Sequence, residues 1–177
     1  MIRVPEHIQT CKHNPYFNEH YAERVLDLQP GCVVDIGAGD GFYGKLTRYL
    51  LGGIQLVAIE PNEGWSHSLM GLYDLLVIQP VEEFLRNAAI VDYIHPSLIL
   101  FGDVLEHLTK DVVYPTLKRA VELFDHVFVI GPVGWQPQDH VNPWEIHRCG
   151  ITADDFLDFH VAEYLENESM MFCHLTS

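Results

Sequence analysis

The chain concentrates its chemically capable side chains in two stretches. The first is Asp35-Ile36-Gly37-Ala38-Gly39-Asp40-Gly41, with three glycines at alternate positions directly behind a β-branched run. Glycine tolerates positive φ and has no Cβ, so such a turn lets a ligand come close to the backbone at the mouth of a helix. Glu60 follows Gly41 by 19 residues and ends a second apolar run, where its carboxylate can accept from both hydroxyls of a ribose. Asp35 beside the loop is compatible with a cationic ligand. The second stretch is Asp103-Val104-Leu105-Glu106-His107-Leu108, with His140 and His147 downstream. Imidazole titrates near pH ~6.5, which makes these histidines candidate bases for a hydroxyl at neutral pH. His107 and His147, with Asp103, form the expected catalytic group. No metal is expected, but carboxylates and imidazoles also suit a divalent ion, and Glu106, His107 and His147 are the alternative set for one.

These residues need elements to hold them. Short β-branched runs at 32–37, 54–60, 75–79, 97–102 and 126–131 predict buried parallel strands. Between them apolar residues return every three or four positions, predicting helices over 41–51, 63–73, 81–89 and 112–124. A helix over 18–29 is expected to stop at Pro30-Gly31, and another to start near Thr152, where Asp155 three residues on resembles a capping box. The tail, HVAEYLENESMMFCHL, is expected to form a hairpin around Asn167. The sum is an α/β fold over residues 1–177 as one domain: a doubly wound, mainly parallel sheet with helices on both faces and a C-terminal antiparallel hairpin. In such sheets ligands bind beyond the carboxyl ends of the strands, so the loops after the first, fourth and fifth strands should converge on one pocket. The loop after the fifth strand, rich in proline and aromatics, is long enough to cover an acceptor. Its Trp135 and Trp144 are expected to pack it onto the body. In the leader, His7 and His13 are expected to be flexible, while His20 on the first helix, with Tyr16 and Tyr21 nearby, is placed to cover a bound molecule.

The run VVDIGAGDGFYG resembles motif I of class I S-adenosylmethionine (SAM) dependent methyltransferases, and Glu60 in VAIEPN is similar to their ribose-binding acid. QPVEEFL after the third strand and LILFGDVLEHL at the fourth continue the likeness over most of the chain. The resemblance implies SAM as cofactor, held by Asp35, Gly37, Ala38, Gly39, Gly41, Glu60, Pro61, Glu82 and Asp103. Of the acidic pair, Glu82 rather than Glu83 is placed near the adenine, although two acids in a helix's first turn are also favoured by its dipole. The D-x-x-E-H-L stretch resembles small-molecule methyltransferases of this class. It is also similar to the E-x-x-E-H stretch of small-RNA 2′-O-methyltransferases, which hold a metal with a downstream His; here Asp103 replaces the first Glu and no RNA-binding domain is apparent. Gly39, Gly41 and Gly44 also satisfy the dinucleotide pattern G-x-G-x-x-G, which keeps a nicotinamide-dependent oxidoreductase as a rival reading. A non-catalytic partner subunit that retains the fold is a second rival.

Composition narrows the partners. The net charge of −15, from 25 acidic and 10 basic residues, opposes phosphate backbones, so nucleic acid is disfavoured. Cys11, Cys32, Cys149 and Cys173 are widely spread without a C-x-x-C pair, which fits a reduced, cytoplasmic setting. The N-terminus carries no apolar signal region, and no run reaches the ~18 apolar residues of a membrane span. The expectation is a methyltransferase for a small-molecule acceptor of unspecified identity, active alone, as a homodimer or with a partner subunit.

Overall fold

Along each buried strand, alternate side chains enter opposite cores, because successive Cβ atoms point to opposite faces of a sheet. In β1 (Cys32–Ile36), Cys32, Val34 and Ile36 join one cluster and Val33 the other. In β4 (Leu98–Gly102), Ile99 and Phe101 oppose Leu98 and Leu100 in the same way. Strands apolar on both faces require cover on both faces. On one side lie α1 (Pro15–Leu28), contributing Phe17, Tyr21 and Val25, and α2 (Phe42–Leu51), contributing Phe42 and Leu46. On the other lie α4 (Val81–Arg86) with Phe84, and α5 (Lys110–Leu123) with Val113, Leu117 and Ala120.

The computed structural model describes residue 8 and residues 15–87 and 97–177. Their sheet has seven strands in the order β3-β2-β1-β4-β5-β7-β6, with β2 at Gln55–Ile59, β3 at Leu75–Val77, β5 at His126–Pro132, β6 at His160–Glu166 and β7 at Met170–Thr176. The first five strands run parallel, β7 is antiparallel to β5, and β6 is antiparallel to β7. The expected doubly wound sheet with a C-terminal hairpin is therefore the observed fold. Asn167 makes the hairpin turn, its side chain accepting from the backbone N–H of Ser169 and Met170 at 3.0 Å each. Among the described residues no helix is long and apolar enough to cross a membrane.

Three elements differ from expectation. The helix predicted over 63–73 is a 3-10 turn (Glu63–Trp65) and one helical turn, α3 (Ser66–Leu69); Gly71 then takes φ 84, a left-handed conformation that ends it. The helix expected from Thr152 is a single 3-10 turn (Ala153–Phe156), although its capping box forms, with Asp155 accepting from the Thr152 N–H at 2.9 Å. Capping fixes where a helix starts, not how long it runs, and β6 needs the chain four residues later. The helix expected to residue 89 ends at Arg86, with Asn87 already out of helical conformation; residues 88 and 89, with His7, Cys11 and His13, lie outside the described residues.

Candidate functional site

Strand order reverses between β1 and β4, and the loops leaving their carboxyl ends are pinned to each other there. Gly37 has φ 64, and a Cβ on it would stand 2.6 Å from the Val104 side chain, so the glycine lets the β4 loop pack against the β1 loop. At the start of α2, Gly41 has φ 80 and faces Leu72, which a Cβ would meet at 2.6 Å. The Asp40 carboxylate accepts from the Phe42 N–H at 3.1 Å and so caps a helix-start donor. Above the crevice opens a cavity of about 1120 Å³.

One end of the cavity belongs to the glycine loop and β2. Gly37, Ala38, Gly39, Glu60, Pro61 and Glu82 line it, as does Asp103 from the β4 loop; Glu83 does not. The Glu60 carboxylate accepts from the Gly39 N–H at 2.9 Å and from the Asn62 N–H at 2.8 Å. These bonds orient it across the glycine turn and leave about two of its four lone-pair sites for a ligand. Burial pushes its carboxyl above the ordinary range, and the two N–H bonds draw it back.

Two of the expected cofactor residues stand behind this wall. Asp35 is 2% exposed and outside the cavity lining, where it accepts a short hydrogen bond from the Tyr73 hydroxyl. Gly41 is also outside the lining and serves the turn into α2. The first helix does not bring His20 or Tyr21 to the cavity either. His20 Nε2 lies 3.1 Å from the Glu163 carboxylate, and the buried Tyr21 hydroxyl bonds Thr47. The Tyr16 side chain lies outside the described residues.

The other end carries Glu106, His107 and His147. A 3-10 turn (Leu105–His107) follows Asp103, which takes φ 54, a left-handed value that asparagine and aspartate tolerate better than other non-glycine residues. Glu106 is 3% exposed; burial, then the neighbouring Asp103 charge, hold its carboxyl well above the usual range. His107 Nδ1 lies 3.2 Å from the Ile146 carbonyl, and His147 Nδ1 lies against the Gln136 carbonyl. The two rings meet edge to face with centroids 4.9 Å apart. Burial lowers the His107 pKa below its ordinary value. His140 stays outside the cavity, its Nδ1 accepting from the Asn142 N–H at 3.1 Å.

His147 reaches the site because the segment after β5 folds back over it. Gly134 N–H donates to Ile151 O at 2.6 Å, closing the segment at its base. Arg148 then ties it to the β4 loop: its backbone N–H donates to Glu106 O at 2.7 Å, and its guanidinium donates to the carbonyls of His107, Ile146 and Pro143. Trp144 was expected to pack the segment down, yet it lines the cavity and is 43% exposed, and Trp135 is 56% exposed. Sequence reasoning missed Trp65, Gln138, Glu145 and Arg148 at the wall. Glu145 and Arg148 flank the His147 that was singled out, and that proximity was the available signal.

No protein-family model matches this chain, and no curated protein matches it by sequence. Solved structures do match. The N-terminal domain of EvdMO1 with SAH bound is 12% identical with a TM-score of 0.60, over 89% of this chain and 79% of that one. A SAM-dependent methyltransferase from Archaeoglobus fulgidus is 13% identical with a TM-score of 0.62, over 90% and 94%. The mitomycin 7-O-methyltransferase MmcR is 16% identical with a TM-score of 0.59, over 92% of this chain and 55% of that one. The fold is thus the Rossmann-like one of SAM-dependent methyltransferases.

Proposed function

We propose that this chain, acting as one domain, is a SAM-dependent methyltransferase for a small-molecule acceptor. The observation that carries the reading is Glu60, held by Gly39 and Asn62 N–H groups across a positive-φ glycine turn at the mouth of a large cavity. Gly37, Ala38, Gly39, Glu60, Pro61, Glu82 and Asp103 would hold the cofactor, while Asp35 and Gly41 shape the turn from behind. Bound SAM supplies a methyl on a sulfonium, for which the surrounding carboxylates are suitable company. The chain's own part is to align donor and acceptor and exclude water, which supplies most of the rate in such a displacement. The acceptor would lie toward His107 and His147. Their unprotonated nitrogens are suited to drawing a proton from a hydroxyl, directly or through an ion they hold. The buried thiols Cys32, Cys149 and Cys173 fit a reducing cytoplasmic setting.

Calorimetric titration with SAM, its demethylated product SAH and NAD under one buffer tests the reading. Saturable binding of SAM or SAH without NAD is expected. Binding of NAD alone would replace the reading with a nicotinamide enzyme, and binding of none would leave a scaffold that keeps only the fold.

A further inference from the structure

We infer that the methyl acceptor carries a primary ammonium group, recognised by hydrogen bonds to Glu106, His107 and His147. The inference rests on the proposed function and narrows its small-molecule acceptor to one class. A primary ammonium has three N–H donors and nothing that accepts, so its complement is three acceptors around one point. Acceptors spread tetrahedrally around a nitrogen at ~2.9 Å stand ~4.7 Å from one another. A carboxylate oxygen of Glu106 and a nitrogen from each imidazole all lie within 4.8 Å of one another. The group thus has the reach of a single ammonium.

Three features beyond spacing favour that ligand. First, both imidazoles are fixed as acceptors. Nδ1 of His107 faces the Ile146 carbonyl and Nδ1 of His147 the Gln136 carbonyl. A carbonyl only accepts, so both Nδ1 atoms carry the proton and both Nε2 atoms keep their lone pairs. Second, the Glu106 carboxyl group is buried at the cavity wall, with the Asp103 and Glu145 charges pressing on it, and no cation among the described residues pairs with it. Burying a carboxylate without a compensating cation is costly, and a docked ammonium would supply the missing charge. Third, the donors of this wall are turned away from the cavity onto backbone carbonyls. The Arg148 guanidinium serves His107, Ile146 and Pro143; the Gln136 amide serves Val133 and Ser169; the Gln138 amide serves Glu145. A phosphate or carboxylate would meet acids here and no cation free to answer it, whereas an ammonium meets acceptors on three sides.

The test titrates SAH-loaded protein in EDTA with three probes built on one ring: tyramine, which carries a primary ammonium, its trimethylammonium analogue, and its hydroxyl analogue tyrosol. Trp144 at the wall gives the shared ring a surface to lie against. Tyramine is expected to bind saturably and at least about tenfold tighter than either analogue, because it alone has both the charge and the three donors. Its affinity should fall at least about tenfold in Glu106→Gln and in His147→Ala, with SAH affinity held. His147 is only half-buried, so its variant carries the test if Glu106→Gln fails to fold. No tyramine uptake by protein that binds SAH, an analogue bound as tightly, indifference to both variants, or uptake only when Zn²⁺ replaces EDTA would each overturn the ammonium site and leave the cofactor reading standing. Tyramine bound with the expected dependence by protein that takes no SAH would do the reverse.

Discussion

At Glu60 a single carboxylate is held from both sides by backbone N–H groups and still offers lone pairs to the cavity. Replacing it with alanine is expected to remove the acceptor without opening the core. Glu60→Ala should weaken SAH binding at least tenfold by calorimetry, about 1.4 kcal/mol or more at one strong hydrogen-bonded site. Gly39→Arg, at a position with φ 52, should abolish it while the fold survives; SAH affinity unchanged in both variants would defeat the cofactor assignment. Tyr73→Phe removes the hydroxyl donor to the buried Asp35 and should cost ~1–3 kcal/mol, read from the urea midpoint at constant slope. The glycines and Glu60 were legible in the sequence because their spacing is local to one strand, one turn and the next strand. The Tyr73–Asp35 contact was not, since it joins residues 38 apart and depends on where α3 stops.

Helix ends decide how the elements meet the site. Gly41 begins α2 in a left-handed conformation, with Leu72 where a Cβ would go. Gly41→Ala combines a backbone cost of ~1–2 kcal/mol with that clash, and a loss above the backbone figure is expected in chemical unfolding. The same geometry explains the misplaced helix. Apolar periodicity runs on through 63–73, but the chain must turn back at Gly71 to bring Tyr73 over α2, so tertiary contact overrides the local pattern. Periodicity was a better guide for α5, whose apolar side is fixed by the sheet beneath. The segment after β5 could be marked as a functional loop from its length and aromatics, but not its path, which is set by Arg148 reaching the carbonyls of His107, Ile146 and Pro143. Arg148→Ala should free that path: limited proteolysis is expected to cut within 135–147 several-fold faster, with thermal unfolding of the remainder little changed. Equal cleavage rates would assign the loop's order to other contacts.

Across the molecule the parallel strands, the helices on both faces and the hairpin were legible from apolar runs and from returns every three or four residues, and the convergence of three loops on one pocket from the doubly wound class they imply, while the strand order and the particular residues of the cavity wall needed the tertiary fold. The hairpin also gives the fold a pH dependence. His174 on β7 is buried with its ring edge to face with Phe128, and with His126, Glu163 and Arg24 around it; burial and then the His126 charge lower its pKa from 6.5 to about 4. Between those values the unfolded chain binds a proton there that the folded one does not. The His174 contribution is therefore complete above about pH 6.5 and lost progressively toward pH 4. Urea midpoints should fall over that window, and a histidine NMR titration should find His174 neutral until near its low end; a midpoint close to 6.5 would contradict this. The hairpin has one more consequence, for synthesis. Because β7 lies between β5 and β6, the strand made after all the others occupies an interior place in the sheet. Until residues 170–176 leave the ribosome, β5 presents a bare apolar edge and β6 has no strand to pair with. The nascent chain must carry that adhesive edge from the completion of β5 at Pro132 until β7 at Met170–Thr176 emerges, and it is during this late interval that chaperone cover matters most.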